Sequence, residues 1–460
     1  MLAHYLDKTL PNSETYAASA YANNLLASLG VTARCDSGLY AVHPALRYAQ
    51  SGLLALTGNE NAPQICPLPL ASCADGAIAA LQLLAPDSRL AVDGAALLGE
   101  RAALAGYTRA GAISPGGSCR LLAVSDGWLA LNLARDDDWD LLPAWLEMEP
   151  TRSWADVAAA LTKQRLSDCI ERGRLLGLAV APLLKPGEST SWYRVEYESV
   201  ARAEKTIRDD APLVVDLSAL WAGPLCSHLL QLLGARVIKV ESIGRPDGAR
   251  RGNGDFYNLL NANKESVALD FSTSRGRAQL RMLCERADIV IEASRPRALR
   301  QLGLNAEEII AANPTLTWIG ISGYGRREPE ANWVAFGDDA AVAAGLSSLL
   351  YDVHGVPLFC GDAIADPLTG LHAALAAWHS YSIGGGRLIG LALRDVVAYC
   401  LQFGAPHTPT VLRARCNEWR SVIEQAQLFD ALPGARRTNS MAAELGAHTN
   451  TVLQELGIPC

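Results

Sequence analysis

"LVVDLSALWAGPLCSHLLQLLGARVIKVES" spans residues 213–242. It opens on a short β-branched run, 213–218, with the character of a buried strand. Residues 222–235 follow at helical spacing and stop at Gly234, and "RVIKVES" (236–242) is a second strand. Strand, helix and strand within about 30 residues make a βαβ unit. The theme recurs in "SVALDF" (266–271), "GRAQLRMLCERA" (276–287) and "DIVIEAS" (288–294), and "LTWIGISGYG" (316–325) adds another strand. This alternation predicts an α/β fold with a doubly wound, Rossmann-like sheet carrying helices on both faces.

Upstream, the chain echoes itself. "NNLLASLGV" (23–31) matches "SHLLQLLGA" (227–235) at an offset of 204, counted from Gly30 to Gly234. "PQICPLPLASCADGAIAAL" (63–81) matches "PLFCGDAIADPLTGLHAAL" (357–375) at an offset of 294. Two different offsets imply a duplicated unit whose copies have eroded separately. Between the copies, "CRLLAVSDGWLALNLARDDDW" (119–139) reads as two strands around an Asp126-Gly127 hairpin. Residues 153–184 read as one or two amphipathic helices leading into an apolar strand. The expected organisation has five parts. Residues 1–110 are a degenerate copy of large-domain elements, 111–185 a small α+β domain and 186–212 a polar linker. Residues 213–400 are the large domain, and 401–460 a helical segment returning to it.

The second copy holds a candidate for chemistry. Asp366 stands directly before Pro367, a helix-start signature in which the carboxylate caps the first amides. The matching residue in the first copy is Ser72, an equally good cap. Capping alone therefore does not require a carboxylate at 366.

Composition narrows the classes. Half of the 460 residues are hydrophobic and 19% are charged, as in an ordinary globular protein. A net charge of −8 gives no general attraction to nucleic acid. The eleven cysteines form no CxxC pair and the eight histidines no ligand-spaced cluster, so no metal is expected. Dispersed cysteines suit a reducing, cytoplasmic setting. The opening residues lack the pattern of a signal peptide, and no run approaches the ~18 apolar residues of a membrane span.

Several blocks together resemble the family III CoA transferases of the CaiB/BaiF type: residues 214–241, 261–304, 313–325, 361–375 and 442–458. Residues 114–134, with Gly116 and Gly117 before the first strand, are similar to that family's small domain, and 177–183 to its return segment. The family's parts thus occur in permuted, duplicated order. Its members form interlocked dimers. The resemblance therefore implies an intertwined, pseudo-dimer-like arrangement of two incomplete copies, as a pseudo-dimeric monomer or a homo-dimer.

The resemblance maps the family's catalytic aspartate onto Asp366, with Gly370 following. It implies that this carboxylate attacks an acyl-CoA thioester to give a mixed anhydride. Returning CoA thiolate gives an aspartyl-CoA thioester, and an acceptor carboxylic acid reverses the exchange. A helix N-terminus is expected to favour the ionised carboxylate. Gly116 and Gly117 match a loop that covers the site. For coenzyme A, which enters as the acyl-CoA substrate, the candidates are Ala222 and Gly223 in the first strand–helix turn, Arg245, Arg250 and Arg251 after the second strand, Arg295, Arg297 and Arg300 after a later one, and Tyr324. Many relatives carry Asn-Phe where Ala293-Ser294 stand here, and an Arg where Gln301 stands, with Arg300 adjacent. Two alternatives remain open. One is a racemase, isomerase or lyase on the same fold, although the block 331–346 has no His and only His354 and His372 lie near. The other is a non-catalytic acyl-CoA-binding subunit.

Overall fold

The computed structural model describes residues 17–36, 41–88, 90–187, 191–200, 211–404 and 408–459. The N-terminal part is helical, with α1 (Ala17–Ser28), α2 (Leu70–Leu84) and α3 (Glu100–Ala105). Next comes a small antiparallel sheet of β1 (Cys119–Val124), β2 (Gly127–Asn132) and β3 (Ala179–Pro182), with α4 (Leu166–Leu176) preceding β3. The Asp126-Gly127 hairpin closes β1 onto β2, where Val124 pairs with Gly127.

Residues 186–212 are more than a linker. They contain β4 (Arg194–Glu198), which joins the edge of the large sheet. Its charged residues hid it: an edge strand has one partner and tolerates a polar face. Residues 188–190 and 201–210 lie outside the described residues.

The large sheet then winds as β5 (Leu213–Asp216), α5 (Ala222–Leu232), β6 (Arg236–Ser242), β7 (Glu265–Leu269), α6 (Ser274–Arg286), β8 (Ile289–Glu292) and β9 (Thr317–Ser322). It continues through α7 (Gly337–Ala343), α8 (Ala365–Ser382), β10 (Arg387–Ala392) and α9 (Leu393–Gln402), with α10 (Thr449–Glu455) near the end. Strand order is β4-β10-β9-β8-β5-β6-β7, parallel throughout except for β4. The parallel strands run third, second, first, fourth, fifth, sixth in chain order. This is the doubly wound arrangement, with its switch point between β5 and β8. The C-terminal segment does return: the backbone amides of Ser266 and Ala268 donate to His448 Nδ1 and Thr449 Oγ1, each at 3.0 Å.

The two halves share one hydrophobic core, in which Tyr21, Leu25 and Ile78 lie with Leu225, Leu371 and Ile389. Within it one helix pair is built twice. Gly76 of α2 sits so close to α1 that a side chain there would meet Ala18 O at 2.6 Å and Tyr21 Cβ at 3.1 Å. Gly370 of α8 meets α5 in the same way, at Ala222 O (2.7 Å) and Leu225 Cβ (3.0 Å). Ala18 and Tyr21 shifted by 204 are Ala222 and Leu225, and Gly76 shifted by 294 is Gly370. Both sequence offsets therefore meet in one pair of matching contacts.

Candidate active site

Asp366 lies in the first turn of α8, but it is not the cap. The helix begins at Ala365, and Ile364 at the cap position makes no side-chain bond. Ser72 likewise sits inside α2, which begins at Leu70 behind an uncapping Pro69. Neither residue is there to cap, so that shared expectation falls in both copies. The Asp366 carboxylate instead accepts from the Gly337 backbone N–H at the start of α7. Gly337 has to be glycine, because a Cβ would collide with Asp366 Oδ2 and the Ala363 carbonyl. Asp366 keeps some exposure while its neighbours Ala365 and Pro367 are buried.

Three carboxyl groups and one guanidinium gather here. Arg101 of α3 grips Asp362 with two bonds, Nε to Oδ2 at 2.7 Å and Nη2 to Oδ1 at 2.5 Å. Asp362 has no exposed side chain. Asp338 of α7 accepts from the Ala363 N–H at 2.8 Å. Behind it Asp339 accepts from the Phe336 N–H and from Asn132 Nδ2 of β2.

Burial and crowding set the charges. Burial pushes Asp366 up to about 7. Arg101 opposes this, while Asp338 and Asp362 add to it. Burial, then Asp362, raises Asp338 to about 6 against the pull of Arg101. Asp339 is pushed up to about 7, chiefly by burial. The expected effect of the helix N-terminus, an easily ionised Asp366, is thus outweighed by desolvation and like charge.

The glycine loop reaches this cluster from the other half of the chain. The Gly116 side-chain position lies 3.5 Å from Arg101 Nη2, 3.6 Å from the Tyr107 ring and 3.7 Å from Asp362 Oδ1. Gly117, at φ +81°, faces open space.

A cleft of about 1260 Å³ separates the small domain from the large sheet. Arg245, Arg295, Arg297 and Trp333 line one wall, all beyond the C-terminal ends of β6, β8 and β9; Arg135, Arg165 and Arg174 line the other. Burial, then Arg297, Arg135 and Arg245, lowers Arg295 from its ordinary value. Mutual repulsion of this kind is relieved by a polyanion. Asp366 is not on the cleft wall. Segment 324–339 links the two places: Trp333 lines the cleft, Tyr324 packs edge-on against Trp333 at 5.3 Å, and Asp339 acts on Tyr324. Arg174 lies 3.7 Å over the Trp333 ring and 5.3 Å over Tyr324.

Other sequence candidates are occupied elsewhere. Arg250 is committed to Glu241, at 2.6 Å, and to the Tyr257 ring. Arg300 pairs with Glu307 at 3.0 Å beside a smaller pocket it shares with Gln301 and Arg297. Arg251 is exposed and lines neither pocket. Ala222 and Gly223 serve packing: the Ala222 carbonyl abuts Gly370, and Ser218 fills the space beside Gly223. His372 bonds Tyr21 and the Leu368 carbonyl, and His354 the Ile65 carbonyl.

Sequence reasoning missed Arg101, Asp338, Asp362, Arg135, Arg165, Arg174 and Trp333. A signal for Asp362 was present, since it stands four residues before Asp366 in the same block. Among the described residues no group of three or more His, Cys, Asp or Glu side chains is arranged to hold a metal. No helix there is long and apolar enough to cross a membrane.

Residues 212–429 match the model of CoA-transferase family III. An acyl-CoA transferase of Fusarium pseudograminearum is 32% identical over 35% of this chain and 39% of its own. A succinyl-CoA–D-citramalate CoA-transferase of Chloroflexus aurantiacus is 35% identical, over 36% and 42%. A formyl-CoA:oxalate CoA-transferase of Escherichia coli is 31% identical, over 40% and 47%. The chain thus spans less than half the length of these relatives. Among solved structures, Rv3272 of Mycobacterium tuberculosis aligns with a TM-score of 0.38 at 29% identity, over 43% of this chain and 56% of its own. A CAIB/BAIF family protein of Brucella suis aligns at 0.42 and 21%, over 54% and 98%.

Proposed function

The chain carries a CoA-transferase family III segment over residues 212–429, and from this premise we propose that it moves coenzyme A from an acyl-CoA thioester to a carboxylic acid on Asp366. The observation that carries the reading is Asp366, a residue that keeps some exposure, with its carboxyl poised at about 7 beside the Gly337 backbone N–H, in a cluster that the glycine loop reaches. At neutral pH a substantial fraction is ionised and fit to attack a thioester carbonyl. Attack forms the mixed anhydride and breaks the C–S bond, with the electron pair leaving on CoA sulfur. The thiolate then attacks the aspartyl carbonyl, releases the first acid and leaves an aspartyl-CoA thioester. An acceptor carboxylate repeats the two exchanges in reverse. Each step trades one activated acyl bond for another, so the thioester's free energy is kept provided water stays out. Gly116 is suited to close that space, since a loop without side chains approaches a ligand closely.

The arginine cleft supports coenzyme A as the polyanion. Arg245, Arg295 and Arg297 stand where doubly wound folds bind ligands, and guanidinium groups suit phosphates. Arg250, Arg300, Ala222 and Gly223 have no part in this reading. The N-terminal half, by the matching helix pairs, acts as the partner a second copy would otherwise supply. The setting we infer is cytoplasmic.

The direct test is CoA exchange between labelled acids, in wild type and Asp366→Ala. Exchange in wild type that vanishes in the variant is expected. Equal exchange in both would remove Asp366 from the mechanism. Tight acyl-CoA binding with no exchange across a panel of acids would favour a binding subunit.

A further inference from the structure

Arg101 is not part of the family III segment; it lies in the N-terminal half, 261 residues before its partner Asp362. Its guanidinium lies over the ring of Trp221, at 5.1 Å, and over that of Tyr107, at 6.0 Å. Its side chain is 30% exposed, and Asp362 takes up Nε and Nη2. Asp362 precedes Asp366 by four residues, and Ala363 between them has a strained positive φ of 42°. Asp338 holds that strained residue by its amide. One cation thus faces three carboxyl groups and touches the glycine loop.

We propose that Arg101 is a positioning residue for Asp366, fixing the 361–366 segment through Asp362 and favouring the anionic, reactive form of the Asp366 carboxylate. The N-terminal half is then a working part of the site and not an eroded remnant. This rests on the reading of Asp366 as the nucleophile.

The charged groups on the helices packed against α8, and Arg387 of β10, which pairs with Glu198, are placed as follows. α7 presents Asp338 and Asp339, and the 361–364 loop presents Asp362. Tyr107 lies beyond Arg101. α5 packs along α8 but turns Cys226 towards Asp216 and Lys264 and His228 towards Arg436 and Lys264. α2 turns Cys73 towards Cys400 and Asp75 onto Arg47. α9 turns Cys400 towards Tyr21 and His372, and Arg394 towards Tyr324. Arg101 acts on Asp366 as a cation, against Asp338 and Asp362.

The sign follows. A cation stabilises the ionised carboxylate, so its removal raises the pH at which Asp366 loses its proton. Esterification by a diazo reagent, which consumes only the protonated acid, reads that pH through mass spectrometry of the Asp366 peptide. Half-maximal labelling is expected near pH 7 in the wild type. In Arg101→Gln it should rise by about one unit, the scale of one nearby charge. Arg101→Lys should sit between, and Arg101→Gln/Asp362→Asn, which removes one charge of each sign, should return towards wild type. In turnover, kcat/KM of Arg101→Gln should fall about tenfold at pH 6 and be nearly wild type at pH 9, following the ionised fraction. If Arg101→Gln does not fold, the lysine and double variants carry the test. An unmoved midpoint, or the same loss at both pH values, would overturn the inference and leave Arg101 a structural brace. A shifted midpoint in a protein with no exchange activity would uphold it and discard the transferase reading instead.

Discussion

The chain makes one helix junction twice and uses it differently. At α8, Gly370 lets the helix touch α5, and one turn earlier Asp366 enters a cluster with Asp338, Asp362 and Arg101. At α2, Gly76 makes the same contact with α1, but the matching residue is Ser72, 1% exposed. The nearby charges there close on themselves: Arg47 binds Asp75 at 2.7 Å and Asp93 at 2.6 Å. One junction keeps a partly exposed aspartate whose carboxyl has a raised proton affinity. The other keeps only the packing. The glycine contact is common to both copies and so belongs to the fold, while the carboxylate cluster is particular to one of them.

The largest break in that comparison is Asp366→Asn, which should lower exchange by about a thousandfold or more, as expected when a covalent nucleophile is removed. Ser72→Ala should leave steady-state exchange unchanged. Next, Gly370→Val and Gly76→Val should both destabilise the fold by roughly 2–4 kcal/mol, because each drives a side chain into backbone. Chemical denaturation checks this. Only the Gly370 variant should also lose turnover in the fraction that remains folded.

A third expectation concerns pH. Burial pushes Asp366 up to about 7 in the folded state, against about 4 for an unfolded aspartate, so the folded state binds more protons between those values. Its contribution to stability is therefore lost as pH rises through that window. Asp366→Asn should raise stability at pH 8 by roughly 1–3 kcal/mol and leave it unchanged at pH 3. A thermal melt at both pH values decides it. The smallest expected effect is at the cleft. Arg295→Gln or Arg297→Gln should raise KM for acyl-CoA about tenfold with kcat little changed, as for loss of one charge-assisted contact. Arg250→Gln, whose charge is spent on Glu241, should not change KM.

The sequence was most readable where the local pattern and the tertiary role agree. The βαβ run from 213 to 242 became β5, α5 and β6 almost residue for residue, because strands buried on both faces must be continuously apolar. "RLIGLA" (387–392) was not read as the sixth parallel strand, since two of its six residues are Arg and Gly and three glycines precede it. β4 escaped for the opposite reason, its polar edge. At the site, Asp366 was legible as a motif. Its neighbours Arg101 and Asp338 were not, because no periodicity connects residues that meet only in the folded core. The arginines followed the same logic. Position after a strand identified Arg245, Arg295 and Arg297, but it could not separate them from Arg250 and Arg300, whose acidic partners are set by packing.

A nucleophilic Asp366 must pass through a covalent acyl intermediate. Wild-type protein incubated with an acyl-CoA and quenched with hydroxylamine should yield an aspartyl hydroxamate on the peptide containing Asp366, found by mass spectrometry. The adduct should be absent from Asp366→Ala and from protein without acyl-CoA. A hydroxamate on another carboxylate, or none while the same sample exchanges CoA between acids, would contradict the account.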